Sequence, residues 1–199
     1  MEEQYMTTEL RIAVLCGSLR TGSYNRKLLE ALIEKAPAHM QFDEIRLHDV
    51  PFFNEDMEAA GDPAPVQRLK EQIKQADGVL IVSPEYNGSV PAAVKNAIDW
   101  ASRSRGLLAK KPFAVAGATT GTLGTAQAQV QLKGLLVHLD AYVLPNPKML
   151  VNGVEQKIAA DTGALTDPST LKRAERFMHE FEEWILLFTH AAEANREQW

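Results

Sequence analysis

Residues 10–25 read LRIAVLCGSLRTGSYN, and this stretch decides the fold. Its first seven residues form an almost continuous apolar run, which is typical of a strand buried on both faces of a parallel sheet. A polar loop begins at Gly17, and after Ser23 apolar residues recur at helical spacing until Pro37. A buried strand that passes through a short loop into a helix predicts an α/β protein.

The rest of the chain repeats this alternation. Apolar runs predict further strands at residues 42–47, 78–83, 113–118 and 141–144. Helical periodicity predicts helices over residues 66–73, 91–100 and 126–139, and a last helix that starts at Asp167 and loses its apolar pattern after Thr189. Residues 48–65 are predicted to form a long loop. We therefore predict a doubly wound α/β fold with a five-stranded parallel sheet, for which the alternation alone leaves two strand orders open.

The composition is that of one folded domain. The 199 residues are 45% hydrophobic and 24% charged, which excludes a disordered chain. We assign residues 10–188 to the domain, residues 1–9 to a loose N-terminus and residues 189–199 to a polar C-terminal tail. No apolar stretch reaches the ~18 residues that a membrane-spanning helix needs.

Charge and cysteine content limit the partners and the compartment. The chain has 21 basic and 26 acidic residues and a net charge of -5, so we expect a small-molecule ligand and neither nucleic acid nor a membrane. The sole cysteine, Cys16, excludes an intrachain disulfide, and the first ten residues lack the pattern of a signal peptide. These features predict a cytoplasmic protein. The five histidines lack metal-ligand spacing, so no metal site is expected.

Three loops at residues 17–25, 84–90 and 118–125 follow predicted strands, and ligands of doubly wound sheets bind beyond the carboxyl ends of strands. The first loop leads into a helix N-terminus, which favours an anion such as phosphate. Its candidate donors to phosphate are Ser18, Arg20, Ser23 and Asn25. Gly17 and Gly22 have P-loop spacing, but the lysine and the following hydroxyl residue of that motif are missing. The loop therefore favours a monophosphate, with an ordinary helix-capping turn as the alternative.

The second loop has the sequence SPEYNGSVP at residues 83–91 and is bracketed by prolines. The pair Asn87-Gly88 tolerates positive φ angles, so the loop is expected to be stiff and to expose its amides. A planar heterocycle can lie against such a loop, with Tyr86 available for packing. The alternative is a structural turn that carries a surface tyrosine.

Together the two loops resemble a known family. The string Gly17-Ser18-Leu19-Arg20-x-Gly22-Ser23-x-Asn25, followed by Pro84-Glu85-Tyr86-Asn87-Gly88-Ser89, is similar to the motifs of the NADPH-dependent FMN reductases, which include bacterial quinone and chromate reductases. The resemblance runs from about residue 10 to about residue 185. It implies a flavodoxin-like fold with strand order 2-1-3-4-5, FMN as the redox centre, and NADPH or NADH as co-substrate.

The resemblance also implies an activity. Hydride would pass from the nicotinamide through FMN to a small acceptor such as a quinone, and free flavin, azo dyes and chromate are further candidates. Turnover would be ping-pong. No catalytic side chain is expected, because the flavin itself supplies the redox chemistry.

The site residues carry over by position. The FMN phosphate would be held by Ser18, Arg20, Ser23 and Asn25, and the isoalloxazine would be bordered by Pro84, Glu85, Tyr86, Asn87 and Gly88. The third loop, from Thr119, resembles the family's glycine-rich stretch beside the flavin. Thr125 and Gln127 depart from it, since the family usually has glycine and arginine there. Because that arginine can link subunits, its absence puts one tetramer contact in doubt.

Two other functions remain open from the sequence, because a fold does not by itself decide function. They are a flavodoxin-type electron carrier and a phosphate- or nucleotide-binding module without redox activity. Cys16 is expected to be a small buried residue and not a redox thiol.

A homodimer is expected, with a homotetramer as the alternative. The predicted helices over residues 91–100 and 126–139 carry more apolar residues than one buried stripe requires. These residues are Val94, Ala97, Ile98, Trp100, Val130, Leu132, Leu135, Leu136, Val137 and Leu139.

Overall fold

Six parallel strands form one sheet between two layers of helices. The computed structural model describes residues 9–196, with side chains described as far as Thr189. The predicted N-terminal segment, apart from residue 9, lies outside the described residues. The strands are β1 (Leu10–Cys16), β2 (Met40–Ile45), β3 (Gly78–Val82), β4 (Pro112–Ala118), β5 (Tyr142–Val143) and β6 (Met149–Val151). Their order is β2-β1-β3-β4-β5, with β6 paired to β4, so the flavodoxin-like order is confirmed.

The helices cover both faces of the sheet. They are α1 (Tyr24–Glu34), α2 (Glu55–Ala59), α3 (Ala64–Gln75), α4 (Ala92–Ser102), α5 (Ala126–His138) and α6 (Pro168–Arg196). Short 3-10 turns occur at Leu47–Asp49 and Val154–Lys157. One core lies between the sheet and α1 and α6, and the other lies between the sheet and α3, α4 and α5. Among the helices of residues 9–196, none combines the length and apolar composition required to cross a membrane.

The sheet has one strand more than the five predicted. β5 pairs with the first residues of β4, as in Phe113↔Val143, while β6 pairs with its last residues, as in Gly117↔Leu150. β6 has only three residues, which is too short to show a periodicity in the sequence. Its position brings the chain after residue 149 beside the end of β4, where the third loop begins.

Two boundaries also differ from those predicted. The stretch 48–65 contains α2, because Asn54 accepts a hydrogen bond from the amide of Asp56 (2.8 Å) and so caps a short helix. The last helix continues to Arg196, so residues 189–196 of the predicted tail are helical, and residues 197–199 of that tail lie outside the described residues. Polar residues can continue a helix that packing has already nucleated.

The prediction that α4 carries a surplus of exposed apolar surface is wrong. Its apolar residues are buried within the single chain, and residues 51–53 pack against Asn96 and Trp100 of this helix. The carbonyl of Pro51 accepts hydrogen bonds from Asn96 Nδ2 (2.9 Å) and Trp100 Nε1 (2.8 Å). The ring of Phe53 packs edge-on against Trp100, with centroids 5.0 Å apart. Of the two helices expected to carry this surplus, α5 keeps exposed large apolar side chains, Val130 and Val137.

The start of α6 gives a pH-dependent prediction. Asp167 Oδ2 accepts hydrogen bonds from the hydroxyl (2.7 Å) and the amide (2.8 Å) of Thr170, and these bonds lower the pKa of Asp167. The stabilisation is therefore complete above the ordinary aspartate pKa and is lost as the pH falls through the lowered value. Asp167→Asn keeps a capping oxygen that does not titrate. We expect the Tm advantage of the wild type over this variant to shrink below about pH 4. A difference that is constant from neutral to acid pH would contradict this assignment.

Candidate functional site

The first two loops meet at the carboxyl ends of β1 and β3. The amide of Gly17 donates to the carbonyl of Val82 (2.8 Å), which brings the start of the first loop against the start of the second. A Cβ at Gly17 would lie 2.6 Å from Val94 Cγ2 and 3.0 Å from Ser83 Oγ. Only glycine fits this approach, so the two motifs identified in the sequence lie side by side.

The first loop has the features of an anion site. Among hydrogen bonds between described residues, the amides of residues 19–22 donate none. Ser23 caps α1, since its Oγ accepts from the amides of Asn25 and Arg26 (both 3.2 Å), and its hydroxyl proton stays available to a ligand. The first turn of α1 has no acidic residue. Free amides, a hydroxyl donor and the positive end of a helix dipole together suit a phosphate group.

The other donors of this loop differ in exposure. Ser18 is buried, and its amide interacts with the thiol of Cys16. Arg20 is exposed, and its guanidinium lies 5.1 Å from the centroid of the Tyr24 ring. Arg20 makes no ion pair with another residue of the described chain, so its charge is available at this end of α1.

Asn25 has a structural contact that the sequence did not indicate. Its Nδ2 donates to the carbonyl of Ala118 (3.0 Å), and its Oδ1 accepts from the amide of the same residue (2.9 Å). The side chain is buried. Asn25 therefore joins the N-terminus of α1 to the end of β4, and this pair of hydrogen bonds positions the first loop beside the third.

The second loop forms a tight turn. Tyr86 and Ser89 exchange two backbone hydrogen bonds (3.1 and 3.0 Å), and the residues between them, Asn87 and Gly88, have φ angles of 51° and 70°. These are features of a type I′ turn, which Asn-Gly favours, so the predicted positive φ angles of Asn87 and Gly88 are confirmed. The amides of Asn87 and Gly88 take no part in hydrogen bonds with described residues. The ring of Tyr86 is 53% exposed beside them.

Helix α5 holds this turn from one side. Glu85 Oε2 accepts from the amide of Ala128 (2.9 Å), so this carboxylate lies at the N-terminus of α5. Gln131 Nε2 donates to the carbonyl of Gly88 (2.8 Å), and Gln131 Oε1 accepts from the hydroxyl of Ser89 (2.7 Å). Sequence reasoning missed Gln131, because its partners lie more than forty residues earlier in the chain.

The third loop is supported by β6. The amide of Thr119 donates to the carbonyl of Val151 (2.9 Å), and the carbonyl of Thr119 accepts from the amide of Val154 (3.2 Å). Thr125, at the end of the loop, is fully buried and has a φ of 69°. Glycine adopts a positive φ without strain, which gives a physical reason for the glycine that the family usually has at the position of Thr125.

Cys16 lies at the end of β1, directly before the first loop. It is buried, and desolvation raises the pKa of its thiol. A raised pKa removes the thiolate that redox or nucleophilic chemistry requires. The prediction of a small buried residue is confirmed.

The donors present fit FMN. Unpaired amides, Ser23 and Arg20 at the first loop suit a monophosphate, and the unpaired amides and exposed ring at the second loop suit a planar heterocycle. Comparison with known proteins agrees. The family model described as NADPH-dependent FMN reductase matches residues 10–156. The chain belongs to the NADPH-dependent FMN reductase family.

Relatives of this FMN reductase family member cover almost the whole chain. It is 40% identical over 183 residues to a quinone reductase of Escherichia coli (strain K12), covering 90% of this chain and 97% of the relative. It is 39% identical over 178 residues to a 2-hydroxy-1,4-benzoquinone reductase of Burkholderia sp, covering 88% of this chain and 96% of the relative.

A solved structure agrees in fold. FerB, a flavoenzyme NAD(P)H:(acceptor) oxidoreductase from Paracoccus denitrificans, superposes with a TM-score of 0.83 at 38% identity and covers 90% of this chain and 98% of its own.

Proposed function

We propose that this chain is an FMN-dependent NAD(P)H oxidoreductase that reduces a small acceptor such as a quinone. The observation that carries the proposal is the meeting of two loops with unpaired amides at one edge of the sheet. One loop has the donors for a phosphate and the other has the rigid turn for a flat ring. The quinone reductases among the relatives support the acceptor class.

Each of the two loops would bind a different part of FMN. Ser18, Arg20, Ser23 and the amides of residues 19–22 would hold the phosphate of FMN, and Asn25 would keep this loop in place through Ala118. The isoalloxazine would be bordered by Pro84, Glu85, Tyr86, Asn87 and Gly88, with Thr119 on the third loop beside it. When bound, FMN supplies the ring that accepts hydride and gives up electrons. The protein's part is to bind and orient that ring, and no side chain is assigned a covalent step.

The steady-state rate of NAD(P)H oxidation tests this function. The protein loaded with FMN should oxidise NADPH or NADH at a rate that depends on added benzoquinone, and apoprotein should not. A flavodoxin-type carrier would bind FMN without this turnover, and a nucleotide-binding module would bind no flavin. Either of those results would contradict the proposal. A ping-pong mechanism makes a further prediction. Double-reciprocal plots of initial rate against NAD(P)H concentration, at several fixed quinone concentrations, should give parallel lines.

Arg20→Ala should weaken FMN binding without a matching loss of turnover at saturating FMN. Loss of one charge-assisted contact costs about 1.5 to 3 kcal/mol, or roughly ten- to a hundred-fold in affinity. Because Arg20 is exposed, salt should reduce the difference. Fluorescence titration of apoprotein with FMN measures the affinity. Arg105→Ala is the control, because Arg105 is an exposed arginine outside the three loops. Equal affinity of the Arg20 variant and the wild type would remove Arg20 from the site.

A homodimer remains our proposal for the assembly, with a homotetramer as the alternative. The support is confined to α5, where Val130 and Val137 are 73% and 60% exposed and lie two turns apart on the helix. Leu135, in contrast, packs partly against the core, so its substitution would disturb folding. Val137→Glu should weaken association, because a two-fold axis places the new charge near its copy. Light scattering at micromolar protein concentration measures the mass of the wild type, and a 22.0 kDa species would contradict the dimer.

The compartment also remains a prediction. The lone cysteine, buried at the end of β1, supports a protein that functions in the reducing cytoplasm.

A further inference from the structure

The second loop is held by side chains of α5 at both ends of its turn. Glu85, before the turn, accepts from the amide of Ala128 at the start of α5. One helical turn further along, Gln131 bonds to the carbonyl of Gly88 and to the hydroxyl of Ser89. A Cβ at Gly88 would lie 2.5 Å from Gln127 Oε1, so a second glutamine of α5 lies against the same residue.

Gln131 is the residue whose two polar atoms both bind the turn. Its Nε2 donates to Gly88 at 2.8 Å and its Oε1 accepts from Ser89 at 2.7 Å. A side chain fixed at both ends of its amide cannot rotate without breaking a bond. The bonded carbonyl of Gly88 and side chain of Ser89 lie at the end of the turn that carries the unpaired amides of Asn87 and Gly88. Exposed turns at loop tips are otherwise mobile.

We propose that Gln131 is a positioning residue for the flavin. By holding Gly88 and Ser89, it fixes the direction in which the amides of Asn87 and Gly88 face the isoalloxazine. The inference rests on the proposed function, since it assigns the second loop to the flavin ring. Gln131 need not contact the cofactor, because it acts through the backbone of the turn.

Gln131→Ala removes both bonds and tests the proposal. In the apoprotein, hydrogen exchange of the amides of Tyr86 and Ser89, which are hydrogen-bonded across the turn, should become faster. FMN affinity should fall by about tenfold, the effect of roughly one well-formed hydrogen bond. The midpoint potential of the bound flavin should shift, because the amides that face the ring set its electronic environment. Ser89→Ala, which leaves the bond to Gly88, should give smaller changes in the same directions.

Gln67→Ala is the matched control. Gln67 is an exposed glutamine of α3. Its Nε2 donates to the carbonyl of Asp62 (2.7 Å), which lies in the preceding loop. Gln67→Ala should leave exchange of the amides of Tyr86 and Ser89, FMN affinity and potential unchanged. If Gln131→Ala binds FMN with wild-type affinity and potential, the proposal is wrong while the reductase function stands. If Gln131→Ala lowers only Tm, its role is structural and the proposal is wrong as well. If the wild type itself binds no FMN, both the function and this inference fail.

Discussion

Gly117→Ala should destabilise the protein by about 3 kcal/mol and abolish most FMN binding. Gly117 lies in β4 next to the site, and a Cβ there would lie closer than 3.0 Å to the carbonyl oxygen of Ser83 and to Thr125 Oγ1. The carbonyl belongs to the backbone at the start of the second loop, and Thr125 is the buried residue that ends the third. The carbonyl of Ser83 belongs to the backbone, and Thr125 Cβ would still lie 3.0 Å away if the hydroxyl rotated, so the extra carbon must separate the two loops.

Gly134→Ala is the control for this substitution. Gly134 is exposed in the middle of α5, and a Cβ there would meet nothing within 4 Å. Alanine in a helix interior is more stable than glycine by roughly 0.5–1 kcal/mol, so this variant should be slightly more stable than the wild type. Chemical denaturation of the two variants should therefore give shifts of opposite sign. A Gly117→Ala protein as stable as the wild type would show that the loops are not packed as described.

Asn25→Ala should have the second-largest effect. It leaves both the amide and the carbonyl of Ala118 without partners at a buried position, which costs about 3 kcal/mol in total. For a domain of this size the Tm should fall by roughly 6–12 °C. FMN affinity should fall too, because the N-terminus of α1 loses its fixed position beside the third loop.

Two further variants separate the hydrogen bonds of Asn25 from its packing. Asn25→Asp has almost the same shape and still accepts from Ala118, but its second oxygen would face the carbonyl of Ala118. It should therefore be nearly as unstable as the alanine variant. Asn152→Ala removes an exposed asparagine that donates to the carbonyl of Thr122 (3.3 Å), and its Tm should change little. If Asn25→Asp is as stable as the wild type, the paired bonds to Ala118 are not what holds the two elements.

The sequence predicted those parts of the site that are contiguous in the chain. The loop that starts at Gly17 and the turn at Asn87-Gly88 were recognisable because their donors and turn residues are neighbours in sequence. The contacts between loops were not recognisable. Asn25 and Ala118 are 93 residues apart, and Gln131 and Gly88 are 43 apart, so only the folded sheet brings each pair together.

The errors in the fold have similar causes. A three-residue strand such as β6 depends on its neighbour β4 and has no pattern of its own. Periodicity predicts a dimer interface on the apolar face of α4, because it shows which side chains are buried but not what buries them. The chain itself supplies the cover, since residues 51–53 pack on Asn96 and Trp100.

The visible absorption spectrum of the protein loaded with FMN, recorded without oxygen during stepwise addition of NADPH and then of benzoquinone, tests the central claim most directly. We expect the oxidised-flavin bands to disappear with one equivalent of NADPH, because a two-electron hydride donor reduces one bound FMN, and to return when quinone is added. Bands that stay unchanged after NADPH and, in a second sample, after NADH would contradict the account. So would the absence of bound flavin after incubation with excess FMN and desalting.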